Sequence, residues 1–133
     1  MKKLRFVLIL VVLVALPAVA IRSVLGKRHQ DQRESAYRSE LRSYIGVFKP
    51  GARREQVEGY LRVKEIKFLQ RSGAGSYDDL VRIGQEDAPF FCEEQNVYVA
   101  FQFYGNKSLT KPGPDASDRL REMTILRWLE GCL

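Results

Sequence analysis

Apolar and polar positions follow different periods along the chain, and each change of period marks a new part. Residues 6–21 (FVLILVVLVALPAVAI) hold sixteen positions without a charge. Residues 22–35 (RSVLGKRHQDQRES) are almost wholly polar and read as a linker or as the solvated start of a helix. Tyr37, Leu41, Tyr44, Ile45 and Phe48 then recur at spacings of 4, 3, 1 and 3, which is one face of an α-helix. Arg38, Ser39, Glu40, Arg42 and Ser43 form its polar side, so a first helix is predicted from about 31 to 47. Lys49-Pro50-Gly51 must end it, because proline cannot continue a helix and glycine takes the left-handed turn conformation. The helical period restarts at Val57, Tyr60 and Leu61, with Glu55 near the positive end of the dipole. Arg53 and Arg54 are expected at the solvated N-terminus of this second helix. A phosphate cradle there would need several glycine-borne backbone donors, and one glycine does not make it.

A period of two follows. EIKFLQ (65–70) puts Ile66 and Phe68 on one side, and LVRIG (80–84) is a second apolar run. NVYVAFQFYG (96–105) alternates Val97, Val99, Phe101 and Phe103 with Tyr98, Ala100, Gln102 and Tyr104, the clearest strand in the chain. RSGAGSYDD (71–79) reads as a loop or hairpin connection, and GNKSLTKPGPDASD (105–118) as a long exposed loop. The last segment, RLREMTILRWLEGCL, fits either period. It is read as a strand, because it must cover a sheet edge and bring Cys132 inward. The expectation is an α+β fold: an N-terminal hydrophobic export or anchor segment, then two helices packed on a three- to four-stranded antiparallel sheet. Residues 1–25 are the signal peptide or anchor, 26–35 a polar linker and 36–133 the folded domain.

Charge changes the picture at the N-terminus. Lys2, Lys3 and Arg5 precede the apolar run, Pro17 breaks it, and Ala18 and Ala20 stand where a signal peptidase reads small residues. Sixteen helical residues span roughly 24 Å, short of the ~30 Å hydrocarbon core. A cleaved signal fits, and so does an uncleaved anchor reaching Leu25 if Arg22 snorkels to the headgroups. Positive charge lies on both sides of the segment, so it sets no orientation. Outside residues 1–20 the chain has 19 basic and 16 acidic residues, a net charge of only +3. The aromatics fall on core-like positions, which is not the layout of a nucleic-acid binder.

Cys92 and Cys132 are an even pair behind an export-like start, which reads as one disulfide in an oxidising compartment; two buried free thiols are the alternative. With His29 remote from both, they have no zinc-ligand spacing, and no metal or cofactor is expected. Glu86, Asp87, Glu93 and Glu94 flank APFFC and, with Asp78 and Asp79, form a candidate acidic cluster for a divalent cation or an enzyme site. A solvated acidic rim is the plainer expectation. Phe90 and Phe91 either pack around Cys92 or form an exposed contact patch for a partner. No nucleophile elbow, P-loop or dinucleotide fingerprint occurs. Arg22, Lys27, Arg28 and Arg33 offer a further possibility, a cytosol-facing anchored domain holding anionic lipid.

GARREQVEGYL (51–61) resembles the G-M-T-R-x-Q-V-x-x-x-L signature of the small envelope proteins called SmpA/OmlA or BamE, whose fold the β-lactamase inhibitor proteins share. The resemblance implies Gly51 as the turn glycine and Val57 and Leu61 as core. Ala52 and Arg53 stand where that family has Met-Thr, Leu61-Arg62-Val63-Lys64 where it has L-G-x-P, and the lipobox cysteine is absent. It further implies a non-catalytic envelope protein that binds or scaffolds another envelope protein, without cofactor. The expected location is the periplasm or the periplasmic face of the inner membrane.

Overall fold

The computed structural model describes residues 26–72, 77–105 and 113–132. The chain divides into two compact units between Ala36 and Tyr37. In the first, residues 26–36 are helical, and all are exposed except the half-buried Glu34. In the second, the same helix (α1, helical over 26–47) continues to Val47. A second helix, α2 (Arg54–Val63), and four strands follow: β1 (Leu69–Ser72), β2 (Tyr77–Glu86), β3 (Glu94–Tyr104) and β4 (Arg119–Glu130). The strands form one antiparallel sheet in the order β1-β2-β3-β4, so each pairs with its sequence neighbour.

The period of two on β3 sets the two sheet faces. Val97, Val99, Phe101 and Phe103 point to the inner face, where Val99, Phe101 and Phe103 meet Val81 and Leu120 from the neighbouring strands. Tyr44 and Phe48 of the α1 end, and Val57 and Leu61 of α2, complete this core. Tyr44 and Phe48 both meet the Phe101 ring edge to face, at centroid distances of 5.2 and 6.1 Å. Tyr37, Tyr44 and Phe48 are buried and Leu41 half-buried, as the helical spacing predicts, but Ile45 is 42% exposed. One step of about 100° beyond Tyr44 carries Ile45 off the buried stripe. On the outer face Leu80, Tyr98 and Ala100 form a smaller cluster, flanked by Leu126 and Trp128.

The Pro50-Gly51 corner is fixed from across the chain. Gly51 takes φ +90°. Its N–H donates to Leu120 C=O at 2.7 Å, and Leu120 N–H returns to Ala52 C=O at 2.8 Å. The corner therefore adds a short extra pairing at the start of β4.

Two expectations change and one holds. β2 starts at Tyr77, so Asp78 and Asp79 lie in a strand and not in a connection. β1 is only Leu69–Ser72; Ile66 and Phe68 precede it and pack on the inner core. The last segment is an unbroken strand of 12 residues, with Met123 and Ile125 paired to inward Phe101 and Val99. A bulge at Ile83 brings Gly84 under Tyr37, whose ring a β-carbon at position 84 would meet at 2.6 Å.

Candidate functional site

The two ends of the sheet differ in chemistry. At the end where β2 and β4 begin, Arg54 is buried, with 1% of its surface exposed. This corrects the expectation for Arg54, while Arg53 is exposed at the helix terminus as expected. Helical spacing explains the burial: Arg54, Val57 and Leu61 lie at i, i+3 and i+7, on one face of α2. The guanidinium donates from Nη1 to Asp79 Oδ1 at 2.6 Å, from Nε to Asp118 Oδ2 at 3.3 Å, and from Nη2 to Tyr77 C=O. It also lies 3.9 Å from the centroid of the Phe103 ring. One cation thus joins α2, β2 and the segment entering β4.

The same segment caps α2. The N–H groups of Arg54 and Glu55 donate to the carbonyls of Asp118 and Ala116, at 2.8 and 3.1 Å. The Gln56 side chain accepts from Arg53 N–H at 3.0 Å. No threonine cap is needed. The backbone donors at the start of α2 are thus satisfied within the fold.

One guanidinium serves two carboxylates, and Asp79 Oδ2 is a buried atom with no hydrogen-bond partner among the described residues. Burial pushes the Asp79 carboxyl up to about 6, against the pull of Arg54. The site holds the fold together, and its polar groups face inward.

At the opposite end, Cys92 and Cys132 form a disulfide with sulfurs 2.02 Å apart, tying the β2–β3 turn to the residues after β4. Glu93 N–H donates to Glu130 C=O at 3.0 Å, and Cys92 N–H to Pro89 C=O at 2.9 Å. Within this braced turn Phe90 is 100% exposed and Phe91 45% exposed. The two rings meet edge to face at 5.5 Å. Of the two readings offered for this pair, Phe90 does not pack around Cys92, and Phe91 is only partly covered. Neither core cluster includes a residue of the turn, because the bond to Cys132 holds it without apolar burial.

The acidic residues are dispersed. Asp79 is inward and Asp78 outward on β2, and Glu86 lies seven residues beyond Asp79, roughly 20 Å along the strand. Glu86 pairs with Arg127 at 3.1 Å, and Glu94 accepts from Asn96 at 3.1 Å. Asp87 and Glu93 are exposed on the aromatic turn. Among the described residues no group of three or more His, Cys, Asp or Glu side chains is placed to hold a metal ion.

The outer face carries a cleft of about 250 Å³ lined by Lys67, Phe68, Leu69, Leu80, Arg82 and Tyr98. Leu80 and Tyr98 are buried, Leu69 is 40% exposed, and Lys67 and Arg82 are exposed. Tyr98 donates its hydroxyl hydrogen to Glu130 Oε1 at 2.9 Å; burial first, and this bond second, raise its pKa. Nothing in the sequence pointed to this cleft, whose residues come from three separate segments.

Of the other expected positions, Gly51 is the turn glycine of the corner, and Val57 and Leu61 are fully buried. Lys27, Arg28, His29 and Arg33 are exposed on the first part of α1. Ala18, Ala20 and Arg22 lie outside the described residues. No helix among the described residues is long and apolar enough to cross a membrane. No protein-family model matches the chain, and neither a curated protein nor a solved structure matches it.

Proposed function

We propose that the chain is a non-catalytic protein of the bacterial cell envelope that works by binding or scaffolding other protein, through the Phe90–Phe91 turn. One observation carries this: a disulfide-braced turn holds two large aromatic side chains in water, where they contribute nothing to the core. Monomeric proteins seldom leave such groups exposed together, and rigid aromatics are the common anchors of protein interfaces. The disulfide is compatible with an oxidising compartment, and residues 1–25 supply a secretion signal or an anchor in the membrane. The 51–61 motif and the order helix, Pro-Gly corner, helix, antiparallel sheet support kinship with the SmpA/OmlA proteins.

The test uses the full chain in its native host. Cross-linking in living cells is compared between the native sequence and Phe90→Ser/Phe91→Ser. The expected result is a protein adduct with the native chain that the variant loses, while the stability of the two differs by less than about 1 kcal/mol. Identical adducts from both, or thiols that alkylate before reduction, would overturn the proposal.

A further inference from the structure

The aromatic turn and the outer cleft are complementary in three respects. The first is size. A cavity of ~150 Å³ holds one benzene, so the cleft of about 250 Å³ takes one phenyl ring and part of a second. The second is apolar chemistry. The cleft is walled by Phe68, Leu69, Leu80 and Tyr98, to which the Phe90 and Phe91 rings are suited. The third is charge. Lys67 and Arg82 stand at the cleft; Arg82 hydrogen-bonds Gln85, and neither cation has an ion pair among the described residues. Asp87 and Glu93 stand exposed beside the aromatics. The projection is thus rimmed by acids, while the cleft carries two cations at Lys67 and Arg82 and one carboxylate, Glu130, at the Tyr98 hydroxyl.

A chain cannot satisfy itself here, since its own Phe90 is fully exposed. A second copy can. Arg82 lies four residues from the end of β2 at Glu86, and Tyr98 four residues from the start of β3 at Glu94. The cleft is thus about 13 Å back from the turn on the same hairpin. Two hairpins laid antiparallel, outer face to outer face, bring each turn to the other's cleft. Such a contact is two-fold and closes at two copies.

We propose that the Phe90–Phe91 turn of one copy seats in the cleft at Lys67 and Arg82 of a second copy. This rests on the turn's being a contact surface, and it names the partner.

A photoreactive benzoyl-phenylalanine at position 90 of the full chain, irradiated in the native host, tests it. The expected product is a covalent pair of two copies, with the cross-link mapped to residues 67–82 or Tyr98 of the partner copy. Lys67→Glu/Arg82→Glu should cut the yield at least about tenfold through like-charge repulsion. Asp87→Lys/Glu93→Lys, added to that variant, should restore it. Four results overturn the pairing: an adduct with a different protein, a two-copy adduct mapped elsewhere, a yield unmoved by the charge reversals, or no restoration by the compensating pair. The first leaves the turn standing as a contact surface. No adduct of any kind overturns the pairing and the contact surface together.

Discussion

The two ends of the sheet are held by opposite means. At one, a buried guanidinium draws together α2, β2 and the approach to β4 through Asp79, Asp118 and Tyr77. At the other, a covalent bond between Cys92 and Cys132 does the joining. The charged end must exclude water to work, so it is surrounded by core: Phe103 stacks on the cation and Leu120 is buried nearby. The covalent end has no such requirement. Its bond holds in water, and the aromatic side chains beside it are left exposed.

The sharpest way to break that contrast is Arg54→Ala. It leaves two buried carboxylates without their cation and should cost about 3–5 kcal/mol. Chemical denaturation should show this loss with the disulfide still formed. A loss below about 1 kcal/mol would mean that the cation does not organise its end. Next is Cys92→Ser/Cys132→Ser, which opens a loop with a sequence separation of 40. The expected loss is about 4 kcal/mol in the chain-entropy model, falling in the same assay. The core packing should survive, since no turn residue belongs to it; near-ultraviolet circular dichroism of the core aromatics should therefore keep its native form.

The smallest effect sharpens the contrast by pH. Asp79 has a folded pKa of about 6 against an ordinary 3.8. Between about pH 4 and 6 the folded state then binds more protons than the unfolded state, so stability falls as pH rises through this window. The whole change is on the order of 2–3 kcal/mol. Asp79→Asn should remove that slope, and denaturation midpoints at pH 4, 5, 6 and 7 would reveal it. A slope equal to that of the native sequence would mean that Asp79 is ionised throughout.

Much of this architecture is legible in local pattern. The alternation over 96–105, the stripe from Tyr37 to Phe48 and the Pro50-Gly51 stop are short-range signals, and short-range physics decides them. Arg54 was legible only in part. Its i−3 relation to Val57 puts it on the buried face, but its type argues for solvent, and its partners lie 25 and 64 residues away. Only the folded sheet brings them together. Asp79 reads as a loop residue for the same reason, since a strand position that buries an acid looks like a break in the alternation. The cysteine spacing suggests a bond, yet no local pattern says whether adjacent phenylalanines will be covered. The cleft is less legible still. It is built where Lys67–Leu69, Leu80–Arg82 and Tyr98 converge, and that depends on strand register.

The disulfide also changes what a single break in the chain means. Cys92 and Cys132 close a covalent ring that contains β3, β4 and everything between them. A protease that cuts once between Tyr104 and Arg119 opens the ring but frees no fragment. The nicked protein should run as one species on a denaturing gel until a reductant is added, and then as two.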